Sequence, residues 1–371
     1  MDFFRKLGSR ALQNLAFSHT LCGASAMPRL AQGDYMRIVV LDDFHRAYEA
    51  SDGMARLREF AEVKIYTDGA GSREQLLERL RGVPIVIANR ERTHFPADVF
   101  AALPDLELLC NTGGHAYHVD VAAATKAGVA LVYAYSSDPA TTGLATAELT
   151  LALMMAIMRR IPQSDRAIRR GEWLLPLGYT LYGKTLGLLG LGRVGLQVAR
   201  LAKPFGMRLL AWSAHLTPER AAAAGAEIRT LDALLAESDV VSVHLSLSDR
   251  TRGLLDEAQL RKMRPTAYLV NTSRGAIVDE AALARVLAEN TIAGAALDVF
   301  VEEPLLATHP FTRLENVVMT SHLGWPTDLT YSGFTEHCAR QIEMYLRGDY
   351  SRVENPEALK NRPRRLVRRT D

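Results

Sequence analysis

Three polar residues in the second half of the chain are of the types needed to reduce a carbonyl that stands beside a carboxylate. Arg274, in "LVNTSRG", offers a planar fork that matches a carboxylate. His322, in "NVVMTSH", is a residue that exchanges a proton with a carbonyl or hydroxyl oxygen near neutral pH. Glu303, in "GAALDVFVEEP", is suited to partner that imidazole, because a neighbouring carboxylate favours its protonated form. Taken singly, each residue has a dull explanation: a solvated loop arginine, a turn-opening glutamate, a structural histidine. Together they are more specific, because each follows a short apolar run that reads as a strand. In an open parallel sheet, ligands bind outside the carboxyl ends of the strands. Given a hydride donor on the same edge, the three describe the reduction of a 2-oxoacid.

The stretch "LLGLGRVGLQVARLAKPFGMRLLAWSAH", residues 188–215, supplies the place for that donor. A strand runs into glycines at 190, 192 and 195, then into an amphipathic helix and a second strand. Gly190 permits the tight turn, Gly192 lets a pyrophosphate approach the backbone, and Gly195 lets the helix pack close to the strand. The helix N-terminus then holds the anion. The second strand should end on an acid that accepts from the adenosine ribose, and Ser213 stands there instead. A serine can accept weakly from a 2′-hydroxyl and does not repel a 2′-phosphate. His215 and Arg220 are candidate phosphate partners. NAD and NADP both remain open at this point.

These residues must be positioned by two α/β units. Strands are expected at 37–41, 63–66, 84–88, 106–110 and 129–132, with helices such as 72–80 and 119–126 between them. A long apolar helix over 145–160 follows, and its composition predicts burial between domains or between subunits. A second alternation places strands at 185–189, 208–212, 240–244, 267–271, 293–297 and 317–320, and the chain returns to helix from about Pro326.

Composition excludes several classes of function. The longest apolar run, residues 149–158, is far short of the ~20 residues that span a bilayer, so no membrane role is expected. The net charge of +2 comes from the ends, chiefly Lys360, Arg362, Arg364, Arg365, Arg368 and Arg369, while the body between them is acidic. That distribution predicts no folded nucleic-acid surface. Cys22, Cys110 and Cys338 form neither a disulfide framework nor a metal-ligand pattern, which fits a cytoplasmic protein without a metal. Residues 1–35 are expected to be a disordered extension, because "MRIVVLDDF" opens directly into a strand at Met36; residues 360–371 read as a basic tail.

The chain resembles the NAD(P)-dependent D-isomer-specific 2-hydroxyacid dehydrogenases, the family of glycerate, hydroxypyruvate and phosphoglycerate dehydrogenases. The resemblance rests on "TGGHAYHVDVAAATKAGV", "ATAELTLALMMAIMRRIP", "GKTLGLLGLGRVG", "LVNTSRGAIVDEAAL", "AALDVFVEEPL" and "NVVMTSHLG", which occur in the family's order. It implies two doubly wound parallel-sheet domains. A Rossmann nucleotide-binding domain would span 138–325, and a discontinuous flavodoxin-like substrate domain would comprise 36–137 and 326–359. Carried over, Arg274 binds the substrate carboxylate, Glu303 partners the histidine and His322 is the acid/base. Cofactor contacts would come from Gly190, Gly192, Arg193, Val194, Gly195, Ser213, Thr272, Arg274, Asp298 and His322, with Asp298 on the nicotinamide carboxamide. Gly113 and Gly114 would offer backbone amides to the substrate. The resemblance also implies a small 2-hydroxyacid or 2-oxoacid substrate and a homodimer. Glutamate rather than glutamine at 303 argues against the formate dehydrogenase branch, and Ser321 replaces the proline that usually precedes the histidine. Relatives of this fold that act as nicotinamide-sensing co-repressors supply the alternative, a binding protein with little turnover.

Overall fold

A computed structural model describes residues 36–114, 116–135, 141–173, 177–361 and 366. The expected N-terminal extension and most of the basic tail lie outside the described residues, as does the end of the expected first α/β unit near Ser137. The chain divides into two compact units. One draws its described residues from Met1–Ala134 and Cys338–Asp371, the other from Tyr135–His337.

The first unit contains β1 (Met36–Val40), α1 (Asp52–Arg58), β2 (Ala61–Ile65), α2 (Arg73–Leu80), β3 (Ile85–Ala88), α3 (Ala97–Ala102), β4 (Leu108–Thr112), α4 (Val121–Lys126) and β5 (Ala130–Ala134). All pairings are parallel, in the order β2-β1-β3-β4-β5. Every residue of β3 and β4 is buried, as expected of strands covered on both faces. Side chains of Ser51, Ser72 and Asp120 cap α1, α2 and α4. The last strand is fastened to the returning C-terminal segment by buried Asn355. Its side-chain oxygen accepts from Leu131 N at 2.8 Å and its nitrogen donates to Val129 O at 3.0 Å. The expected strand at 106–110 is instead Leu108–Thr112, which carries its end two residues closer to the glycines at 113 and 114.

The second unit opens with α5 (Leu144–Met158) and α6 (Ile161–Arg169). It continues through β6 (Thr185–Leu189), α7 (Arg193–Ala202), β7 (Arg208–Trp212), α8 (Pro218–Ala223), β8 (Glu227–Ile228), α9 (Leu231–Glu237) and β9 (Val240–Val243). Then come α10 (Glu257–Leu260), β10 (Tyr268–Asn271), α11 (Glu280–Ala288), β11 (Gly294–Leu297) and β12 (Val317–Met319), and α12 (Asp328–Leu346) carries the chain across the division. The seven strands are parallel in the order β12-β11-β10-β9-β6-β7-β8. The chain builds outward from β6 to β8, then restarts at β9 on the other side of β6. That reversal opens a crevice at the carboxyl ends of β6 and β9.

The long apolar helix expected over 145–160 is α5, Leu144–Met158. It stops two residues short of the expected end at 160, because Pro162 has no N–H to donate to the Met158 carbonyl. That carbonyl accepts from Tyr179 N at 2.9 Å instead, Arg160 turns into the left-handed region at φ 54, and α6 starts afresh. One side of α5 packs within its own unit, while Leu149, Ala152 and Ala156 line an apolar hollow on another. Ala147, Leu151, Met154 and Ile157 belong to one buried cluster with Leu186, Leu188, Val198 and Ala199, so α5 covers the face of its own sheet beside α7. The two-residue strand β8 was too short and too exposed to be read from the sequence. Among the described residues no helix is long and apolar enough to cross a membrane, and no cluster of three or more His, Cys, Asp or Glu could hold a metal ion.

Candidate active site

The crevice begins at the turn from β6 into α7. Gly190 has φ +101, and a Cβ there would lie 2.7 Å from the His244 carbonyl oxygen, so a side chain is excluded twice over. A Cβ at Gly195 would collide with the Gly190 carbonyl oxygen, which is why helix and strand can close so tightly. Gly192 differs: a Cβ would meet no protein atom within 4 Å, so its backbone is open to a ligand rather than pressed against the protein. It also heads α7 with no capping side chain, whereas Thr217, Thr230, Asp256 and Asp279 cap α8, α9, α10 and α11. The first-turn N–H groups around Arg193, Val194 and Gly195 are thus left for an anion. These features fit a dinucleotide pyrophosphate.

At the end of β7, Trp212 O accepts from Gly190 N at 2.8 Å, which holds half-buried Ser213 beside the glycine turn. At the end of β10, buried Asn271 staples the next turn. Its side chain accepts from Ser273 N and donates to Arg274 O, each at 3.0 Å. Arg274 is thereby held in extended backbone with an exposed side chain whose Nη1 donates to Ser273 O at 2.7 Å. Thr272 is buried and pairs through its hydroxyl with Thr150 of α5 at 2.8 Å. Its side chain therefore braces the turn against α5.

The ends of β11 and β12 form one connected unit around Asp298, which is fully buried. Its Oδ1 accepts from the Thr320 hydroxyl at 2.5 Å and from Leu323 N at 2.7 Å, its Oδ2 accepts from Gly324 N at 2.9 Å, and its backbone O accepts from His322 N at 2.9 Å. Four groups of the 320–324 loop therefore converge on one residue. In that grip His322 takes φ 58, an unusual conformation for a residue with a side chain. Its ring meets Glu303, Nδ1 to Oε2 at 2.8 Å, and among the described residues Nε2 makes no hydrogen bond. The other Glu303 oxygen accepts from Phe300 N at 2.9 Å. Burial pushes the Glu303 carboxyl up. Hydrogen bonds from His322 and Phe300, and then the charges of His322 and Arg274, outweigh this and hold it below the usual glutamate range.

All the nucleotide-side and acid/base residues expected from the sequence thus lie on the carboxyl edge of the seven-stranded sheet. Gly113 and Gly114 lie on the corresponding edge of the five-stranded sheet. Gly113 has φ +97 and donates its N–H to Ala134 O at 2.9 Å, while Gly114 is exposed. Sequence reasoning missed Asn271 and Thr320, whose roles are purely tertiary. It also gave Asp298 only a cofactor contact, although its oxygens are engaged by its own chain.

The Glu303–His322 pair sets a pH dependence. A carboxyl with a lowered folded-state pKa contributes stability above its unfolded value, and that contribution disappears as pH falls through the folded value. The Tm difference between wild type and Glu303→Gln should be widest above pH 4.5, the ordinary glutamate value, and should shrink below it. Parallel Tm–pH curves across that range would contradict the pairing.

Comparison with known proteins places this geometry. The family model "D-isomer specific 2-hydroxyacid dehydrogenase, NAD binding domain" matches residues 151–324. A glyoxylate reductase of Korarchaeum cryptofilum is 37% identical over 84% of this chain and 95% of its own length. The crystal structure of a phosphoglycerate oxidoreductase from Vibrio cholerae is 31% identical, covers 84% of this chain and 98% of its own, and superposes with a TM-score of 0.73. An acyclic imino acid reductase solved with NADPH and D-Arg is 26% identical over 86% of this chain and 99% of its own, with a TM-score of 0.68. With such identity along nearly the whole of a curated relative, the chain belongs to the D-isomer-specific 2-hydroxyacid dehydrogenases, NAD(P)-dependent oxidoreductases that act on the CH–OH group of small hydroxyacids.

Proposed function

We propose that this protein reduces a small 2-oxoacid to the D-2-hydroxyacid, with His322 as acid/base, Glu303 as its partner and Arg274 as the carboxylate anchor. The 2.8 Å contact of Glu303 with His322 Nδ1 carries the reading, because it leaves Nε2 as the nitrogen able to serve a substrate oxygen. The nicotinamide ring supplies the hydride that becomes the new C–H bond at C2. Arg274 holds the substrate carboxylate through its guanidinium, setting the carbonyl carbon against the donor. His322 Nε2 gives its proton to the carbonyl oxygen as that oxygen gains charge, and takes it back in the oxidative direction. Glu303 keeps the ring oriented through its contact with Nδ1. Gly114 offers its backbone N–H to the substrate, presented by the left-handed turn at Gly113, whose own N–H is held by Ala134 O. Gly190, Gly192, Arg193, Val194 and Gly195 cradle the pyrophosphate, with Thr272 beside it. Asp298 anchors the His322 loop, and any contact with the carboxamide would come through the unit it organises.

The test is NADH and NADPH oxidation with glyoxylate, hydroxypyruvate and bulkier 2-oxoacids. Turnover with at least one is expected. His322→Ala should lower kcat by about 10²- to 10⁴-fold, the range for loss of a general acid, with cofactor affinity retained. Arg274→Ala should act chiefly by raising KM for the oxoacid. No oxidation with any acid, or full activity in His322→Ala, would overturn the assignment.

We also propose a homodimer built on the second unit. This unit exposes Trp173 (81%), Leu177 (77%) and Tyr182 (81%), and an apolar hollow lined by Leu149, Ala152, Ala156, Val317 and Met319 lies along α5. Sedimentation at micromolar concentration should give twice the chain mass, and Trp173→Glu should shift it toward the monomer. A monomeric wild type would refute the dimer.

A further inference from the structure

Among the described residues, the edge of the second sheet beyond the glycine turn carries cations that form no ion pair with an acid. Where an acid would exclude a phosphate, Ser213 follows the last residue of β7. Two residues on, exposed His215 meets Arg250, which arrives from the segment after β9; Arg250 Nη1 lies 3.3 Å from His215 Nε2. A guanidinium has no lone pair to offer, so Nε2 accepts and the ring nitrogen is turned toward a permanent positive charge. From α8, Arg220 reaches back to the glycine turn, with Nη2 at 3.4 Å from Leu191 O. Glu219 and Asp249 are next to these arginines in sequence, yet neither forms an ion pair with Arg220, Arg250 or His215 among the described residues.

The contrast with the rest of the unit is marked. Arg208 and Arg229 share Glu227 and Glu237, while Arg261 and Arg285 share Glu257. Those cations are internally neutralised, and the ones around Ser213 are not. Two guanidiniums, an imidazole and a hydroxyl, reaching the same strand end from three segments, suit a compact dianion much better than a ribose diol.

We propose that Ser213, His215, Arg220 and Arg250 form a binding site for the 2′-phosphate of an adenosine, making NADP(H) the preferred dinucleotide. The proposal rests on the dinucleotide occupying the 190–195 turn, and it adds Arg250, which is remote in sequence from the βαβ unit in which such a residue would be sought.

Calorimetric titration of the full chain with 2′,5′-ADP and with 5′-AMP tests the site independently of turnover. Charge-assisted pairing to two arginines predicts at least ~10-fold tighter binding of 2′,5′-ADP. That preference should weaken as salt rises. Arg250→Gln and Arg220→Gln should each remove most of the preference while leaving 5′-AMP affinity unchanged, which also reports that the variants are folded. Ser213→Asp should reverse the order of the two ligands. Equal affinities in the wild type, or an undiminished preference in both arginine variants, would overturn the 2′-phosphate site alone. If neither mononucleotide, NADH nor NADPH bound, the dinucleotide reading itself would fail and the site with it.

Discussion

The buried carboxylate of Asp298 is the contact on which the geometry of the site depends. A carboxylate with no exposed surface is tolerated only where hydrogen-bond donors replace the water it has lost. Here the donors are Thr320, Leu323 and Gly324, all from the loop that also carries His322. The exchange works in both directions. The loop supplies the donors that let the acid be buried, and the acid fixes the loop, including a backbone bond from His322 N to Asp298 O at 2.9 Å. His322 thereby holds a left-handed backbone that no isolated chain would favour, and its ring meets Glu303 from that position.

This arrangement is possible because both units are parallel sheets, which gather all strand ends of one sense on one edge. Behind that edge β6, β9, β10 and β11 are wholly buried, so the turns leaving them are anchored in close-packed core. The loops then need few devices to become rigid: an asparagine across the β10 turn, an aspartate across the β11 and β12 turns, and glycines where β6 must approach α7. The residues that edge leaves within reach of solvent include those with chemistry to offer: exposed Arg274, half-buried His322 and the cations around Ser213.

Much of this was legible in the sequence, for physical reasons. Strands buried on both faces read as apolar runs, so the strands at 185–189 and 208–212 were placed to the residue. The glycines, arginine, glutamate and histidine of the site were legible because their chemistry is tied to residue type. What escaped was tertiary. Nothing local distinguishes Thr320 or Asn271 from ordinary loop residues, and Arg250 gains meaning only when folding carries it to His215. The end of the apolar helix was legible to within two residues, because Pro162 sits in the first turn of the next helix, where proline is compatible with a fresh start.

The central claim is that Asp298 acts by holding the loop that carries His322. Single-turnover measurement of hydride transfer in Asp298→Asn, alongside fluorescence titration of cofactor, tests it most directly. An asparagine must turn an N–H₂ toward at least one donor, leaving a buried group unpaired at a cost of roughly 1–3 kcal/mol. The account predicts hydride transfer slowed roughly 5- to 140-fold while cofactor affinity stays within about threefold of wild type, since each 1.4 kcal/mol corresponds to a factor of ten. Transfer at the wild-type rate, or a loss confined to cofactor affinity, would contradict it.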